Sequence, residues 1–299
     1  MSPKLSFRFY GDHEVRAVWD EVGKQWWFAV VDVVGAVSGS KDARNYWNVL
    51  KSRFRKAGNE TLTKCKRFRL PAADGKRRLT DCLPQKELVG LIEAMPGRNG
   101  VPFVKWLVSG EDSLDVKSRE KAYALFGNGL LAALKPGTAE CLQQIHAYLF
   151  GGLYDFAGQI RTVNIAKGNF AFAPALFLEN TLAQIERMPE GTFDEIVSKY
   201  VEMNVAHPFR EGNGRATRIW LDLMLKANLK RCVDWSRIDK GAYLRAMTES
   251  PTDSRAIRAL LCGALTDRID SRELFMKGID YSYYYESDEA ALEPPPESV

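Results

Sequence analysis

Cysteine and histidine are both scarce in this 299-residue chain. Cys65, Cys82, Cys141, Cys232 and Cys262 are odd in number, widely spaced and free of any C-x-x-C pair, and there are only three histidines. Neither a disulfide framework nor a cysteine zinc site is indicated, and the thiols are expected to be reduced and mostly buried. No stretch approaches the ~18 apolar residues of a membrane span, and Met1-Ser2-Pro3-Lys4-Leu5 lacks the apolar run of a signal peptide. The expectation is a cytoplasmic protein with no membrane partner. No internal repeat is present either.

Charge is nearly balanced at +4 overall, but it is unevenly placed. Residues 1–110 hold 20 Lys/Arg against 11 Asp/Glu, leaving 22 against 27 for the remainder. That asymmetry, in a chain long enough for two cores, predicts two domains with different partners. A polar linker at Ser109-Gly110-Glu111-Asp112-Ser113 places the boundary, giving a basic α+β domain over 1–108 and a mainly α domain over 109–288. The Pro- and Glu-rich tail, 289–299, reads as disordered.

In the first domain, alternation between Phe7 and Trp27 predicts a hairpin, and helices follow at Asp32–Val37 and Ala43–Lys56. Gly58-Asn59 and Asp74-Gly75 are turn signals around a strand at Cys65–Leu70, and short helices lie between Leu88 and Trp106. Between Lys41 and Arg78 there are 13 basic and three acidic residues, with aromatics interleaved. Such a stripe fits a phosphate backbone, or is a solvated face of a protein-binding domain.

In the second domain, Lys117–Leu134 can form one helix, and Thr138 starts another in which His146 reads as a core histidine. Gly158–Ala173 alternates through Ile160, Val163 and Ile165, turns at Lys167-Gly168-Asn169 and continues through Phe170 and Phe172, which predicts a β-hairpin. Thr192-Phe193-Asp194-Glu195 is a capping-box start. Further helices follow at Asp239–Thr248 and Arg255–Leu265, making the domain all-α apart from the hairpin.

The stretch His207-Pro208-Phe209-Arg210-Glu211-Gly212-Asn213-Gly214-Arg215-Ala216-Thr217-Arg218 has a composition that no core requires. Helical periodicity on both sides makes it a helix, a loop and a second helix start. Gly212 and Gly214 let backbone N–H groups approach an anion at the positive helix end, and phosphate is the obvious one. Arg215 and Arg218, three apart, could hold further phosphate oxygens. Glu211 is a hard oxygen ligand suited to Mg²⁺, and His207 has a pKa suited to a general base.

This stretch matches the Fic family pattern H-x-F-x-[D/E]-G-N-G-R-x-x-R at every specified position. The likeness extends through Leu149–Arg161 and Phe275–Ile279, over roughly residues 113–288. The resemblance implies a protein adenylyltransferase that moves AMP from ATP, with Mg²⁺, to a Tyr, Ser or Thr hydroxyl. His207 would be the base and Glu211 the metal ligand, with Gly212, Asn213, Gly214, Arg215 and Arg218 binding nucleotide. Val163, Asn164, Ile165, Ala166, Lys167 and Gly168 would form the flap that docks the target. Ser282-Tyr283-Tyr284-Tyr285-Glu286 resembles the inhibitory [S/T]-x-x-x-E-[G/N] element in its C-terminal, third-class position, with Ser287 in place of Gly or Asn.

In that reading Glu286 pairs with Arg218 and excludes ATP, and Tyr283, Tyr284 and Tyr285 become self-modification sites. By analogy with related members, a topoisomerase such as DNA gyrase is a target, and a homo-oligomer is compatible. Residues 1–108 are similar to the Bro-N domain, through Val15–Trp19, Trp26–Val33 and Arg44–Trp47, which implies DNA as a partner. The alternatives are transfer of another phosphate-containing group, removal of AMP, or a DNA-binding regulator whose Fic part senses nucleotide. Kinase chemistry is disfavoured, because the kinase-like branch replaces the glycine that Gly214 retains.

Overall fold

Alternating side chains in the first 30 residues turn one set inward, and the computed structural model forms from them three strands, β1 (Leu5–Tyr10), β2 (His13–Asp20) and β3 (Gln25–Ala29). The structure describes residues 4–58, 60–72, 76–95, 100–109, 113–168 and 170–286. The turns at Asn59 and Asp74-Gly75, most of the linker, Ser287 and the 289–299 tail lie outside them. The chain divides into two compact units, Met1–Val116 and Lys117–Val299.

In the first unit, α1 (Val30–Ser38) and α2 (Ala43–Lys56) are followed by β4 (Lys66–Pro71), β5 (Arg77–Pro84), α3 (Gln85–Glu93) and α4 (Gly100–Ser109). The strands form one antiparallel sheet in the order β1-β2-β3-β5-β4. Val15, Ala17, Phe28, Val33, Leu50 and Phe103 lie in the main core, on the helix side. The expected hairpin is thus three strands, and β5, unexpected from sequence, inserts between β3 and β4. Arg16 joins sheet to helix with a two-pronged hydrogen bond to Asp32, both N–O distances 2.7 Å.

The second unit is built around α10 (Asn213–Leu229), which carries the fully buried Trp220. Packed on it are α7 (Ala139–Phe150), α9 (Phe193–Ala206) and α13 (Arg272–Glu286). Trp220 Nε1 donates to the Thr138 carbonyl at 3.0 Å, tying the middle of α10 to the start of α7. The expected helix over Lys117–Leu134 is instead α5 (Leu114–Ala124) and α6 (Leu130–Ala133). It breaks because Gly129 takes a left-handed conformation (φ 80°) and Asn128 accepts the Leu130 N–H.

The remaining helices are α8 (Leu178–Arg187), α11 (Lys240–Glu249) and α12 (Arg255–Ala264). Among the described residues of this unit, strands are confined to two-residue pairs: β6 (Ala166–Lys167) with β7 (Phe170–Ala171), and β8 (Cys232–Val233) with β9 (Leu265–Thr266). The second pair corrects the all-α expectation. The first corrects the hairpin, since residues 160–165 do not form a strand. No helix among the described residues is long and apolar enough to cross a membrane.

Candidate active site

The helix that delivers His207 begins in a complete capping box. Thr192 Oγ1 accepts the Glu195 N–H, and the Glu195 carboxylate accepts the Thr192 N–H at 2.9 Å. Ile196, Val197, Tyr200 and Met203 then bury one face, and α9 ends where His207 turns into the left-handed region at φ 48°. The imidazole stacks on Phe172, with centroids 3.8 Å apart and planes at 21°. Its Nδ1 lies 3.3 Å from the Asn204 carbonyl, which favours a proton on Nδ1 and leaves the Nε2 lone pair available as a base.

Burial pushes the His207 pKa down to about 4, with Lys167 and Arg161 adding to the effect while the Asn204 carbonyl and Glu286 oppose it. His146 is pushed down to about 4 as well, again chiefly by burial. Each ring therefore binds fewer protons folded than unfolded between pH ~6.5 and ~4. Stability falls as pH drops through that window. In an NMR titration, His207 should remain neutral down to pH ~5, and a midpoint near 6.5 would contradict this burial.

The loop after His207 is braced from below. Phe209, fully buried, stacks on His146 at 3.8 Å. His146 Nδ1 accepts the Gly158 N–H at 2.9 Å, so Nε2 carries the proton and donates to the Glu211 carbonyl at 2.8 Å. The core reading of His146 is correct, and the ring also holds the motif loop. Asn213 reaches back to Phe209, accepting its N–H at 2.8 Å and donating to its carbonyl at 2.7 Å. The Asn213 side chain is thus spent on the loop, leaving its backbone for a ligand. Gly212, at φ 79°, is required twice over, since any Cβ there would also overlap the Phe150 ring.

The first N–H groups of α10 have no intrahelical acceptor and favour negative charge. Arg215 and Arg218 extend that field. Arg215 is buried between the rings of Phe150 (5.0 Å) and Tyr283 (5.2 Å) and donates to the Glu211 carboxylate. Glu211 is itself exposed, so a carboxylate oxygen remains within reach of an ion carried by phosphates. That single hard donor fits Mg²⁺, which uses one or two carboxylates together with substrate oxygens.

Arg218 is almost wholly buried. Its Nε donates to Ser282 Oγ at 2.7 Å, Nη2 to the Ser282 carbonyl at 2.9 Å and to Glu286, and Nη1 to Tyr243 Oη at 3.3 Å. Burial alone would lower its pKa, but Glu286 and the Tyr243 and Tyr200 hydroxyls raise it above the ordinary arginine value. A Cβ on Gly214 would overlap the Glu286 carboxylate. The glutamate thus lies at the start of α10, against the surface expected to take phosphate.

α13 is held down at several further points. Tyr123 donates to the buried Asp280, Tyr283 to Ser118 Oγ at 2.8 Å, and Tyr285 to the Trp235 and Ile238 carbonyls at 2.8 and 2.9 Å. Of the three tyrosines expected as candidate self-modification sites, Tyr283 and Tyr285 are buried. Only Tyr284, half-buried, keeps access. Of the flap residues, Val163, Asn164, Ala166, Lys167 and Gly168 are exposed and Ile165 is half-buried. Arg161, to which sequence reasoning assigned no role, lies beneath the flap, and its partners are main-chain carbonyls that leave no trace in sequence.

Residues 136–225 match the model of the Fic/DOC family. The match covers less than half of the chain and is a likeness of this stretch to that family. The match spans His207–Arg218 and reaches neither the basic first unit nor Ser282–Glu286. The chain is 34% identical over 122 residues to the protein adenylyltransferase VbhT of Bartonella schoenbuchensis, covering 36% of this chain and 25% of that protein. It is 33% identical over 117 residues to the probable protein adenylyltransferase Fic of Escherichia coli K12, covering 35% and 58%. Both relatives are nucleotidyltransferases by name, and the chain spans from a quarter to under two thirds of their lengths. Among solved structures, BepC of Bartonella tribocorum with bound AMPPNP is 20% identical with a TM-score of 0.44, covering 54% of this chain and 88% of that one.

Proposed function

We propose that the Fic domain transfers AMP from ATP to a Tyr, Ser or Thr hydroxyl of a target protein, and that Glu286 restrains it. The observation that carries this reading is that His207 ends α9 just before the α10 N-terminus, where Glu286 lies on Arg218 and against Gly214. The triphosphate would lie over the α10 amides, with Arg215 and Arg218 on its outer oxygens. Glu211 would hold Mg²⁺, which supplies charge neutralisation on the phosphates when bound. His207 Nε2 takes the hydroxyl proton, the hydroxyl oxygen bonds to the α-phosphorus, and the α–β bridging bond breaks to release pyrophosphate. Transfer of label from ATP to protein by the Glu286→Gly variant tests the reading, and a topoisomerase is the first target to try.

A second reading, specific to the first unit, is binding of duplex DNA. α2 carries Arg44, Lys51, Arg53, Arg55 and Lys56 and no acidic residue, and its solvent side adds Asn45, Asn48 and Ser52. Lys51 and Arg67 meet at Asp81, which also accepts from Trp47, so α2 lies beside the β4–β5 hairpin. Arg67 faces Asp81 across the hairpin, and the period of two puts Arg69 and Arg77 on that same side. A helix with arginine and asparagine outward fits the major groove, and flanking cations fit phosphates. DNA retention by the full chain should fall linearly in log–log with salt, and Arg55→Ala should reduce the slope by about 1. Salt-independent retention, or an unaltered slope, would count against it.

A further inference from the structure

Arg161 is 3% exposed, and among the described residues no carboxylate lies within ion-pair distance of it. Its guanidinium is spent on four carbonyls. Nε donates to His207 at 2.7 Å, Nη1 to Val163 at 2.7 Å, and Nη2 to Ala173 at 2.5 Å and Ala206 at 3.0 Å. Its backbone N–H donates to Pro208 at 2.9 Å. Two of these acceptors are the last carbonyls of α9, which carry the negative end of the helix dipole and offset a buried cation. The other two are the two legs of the flap.

We infer that Arg161 is a positioning residue that makes the flap and the base a single rigid body, so that a target strand laid on the flap meets His207 at a set distance. Further bonds act in the same direction. The Ala173 N–H donates to the Val205 carbonyl at 3.1 Å, and the Phe172 N–H to Ile165 at 3.2 Å, which holds Phe172 over the His207 ring. His207 itself sits in a conformation that a side chain with a Cβ disfavours (φ 48°), and the Arg161 bond to its carbonyl helps keep it there. A flap of two-residue strands has too few ladder bonds to set its own position. The guanidinium supplies that position, and lysine, with one nitrogen, cannot reach four divergent acceptors.

The inference deepens the adenylyl-transfer reading, but its test is separable from it. In native-state hydrogen exchange of the full wild-type chain, the Phe172, Ala173 and His207 amides should share one opening free energy. Flap amides that open independently of His207 would overturn the clamp, and this readout stands even if an Arg161 variant does not fold. In Arg161→Lys, flap exchange should quicken at least about tenfold and the His207 titration midpoint should rise toward its ordinary value. No change in either would also overturn the inference. In the Glu286→Gly background, Arg161→Lys should cost about 10² in transfer to protein with ATP affinity retained, because a displacement of about 1 Å suffices for such a loss. A parallel loss of ATP binding would make Arg161 a residue of the fold only, and absence of transfer by Glu286→Gly itself would count against the reaction and leave the clamp to the exchange data.

Discussion

Glu286→Gly should raise AMP transfer by about 10–10³-fold, equivalent to roughly 1.4–4 kcal/mol of inhibitory contact removed. Arg218 is a buried cation whose one carboxylate acceptor among the described residues is Glu286. Removing one partner of a buried pair leaves the other uncompensated, a state that strongly favours any anion able to reach it. The γ-phosphate of ATP is such an anion, arriving where the Glu286 carboxylate now lies against Gly214. α13 should stay docked in the variant, because Asp280, Ser282 and Tyr285 keep their own hydrogen bonds. Calorimetric ATP affinity should therefore rise together with the transfer rate. Unchanged affinity and rate would mean that the ion pair is structural and restrains nothing.

His207→Ala should act in the opposite direction and through a different step. A general base contributes about 10²–10⁴ in rate, so transfer should fall by that factor. Nucleotide binding should persist, because the groups proposed to hold the phosphates belong to α10 and not to the end of α9. A fall in the rate of the chemical step with ATP affinity intact is the signature of an interaction made only in the transition state. Full retention of transfer would remove His207 from the mechanism, and loss of ATP binding would move it into the phosphate site.

Much of the site was legible because its signals are local. The two glycines, the two arginines and the histidine fall within twelve residues, and the capping box that starts α9 is four residues long. The same holds for α2, whose Asp42 cap and Trp47-Leu50-Phe54 stripe mark it from Ala43 to Lys56. β5 was missed because Arg77 to Asp81 is almost wholly polar and draws its order from pairing with β4, while only Cys82 to Pro84 pair with β3. The flap misled because Val163 and Ile165 alternate like a strand, while the Val163 carbonyl is taken by Arg161 and the Ile165 carbonyl by the Phe172 N–H.

Long-range polar partners were the least visible of all. Tyr123 and Asp280 are 157 residues apart, and Tyr283 and Ser118 are 165 apart. Neither pair carries a pattern that spacing reveals. Which tyrosines of the last helix are buried could be learned only from packing. The Glu286–Arg218 pair was reached from sequence solely through the family likeness, since a lone glutamate 68 residues from an arginine has no local signature.

The central claim is that one site holds a proton acceptor, His207, and a phosphate-binding arginine, Arg218, that Glu286 withholds. It is tested most directly by incubating Glu286→Gly and the double variant His207→Ala/Glu286→Gly with ATP labelled in its α-phosphate and a lysate, then measuring label on protein. The account predicts strong labelling by the single variant, and a loss of about 10²–10⁴ in the double variant at equal ATP affinity. Equal labelling by the two, or none by Glu286→Gly, would contradict it.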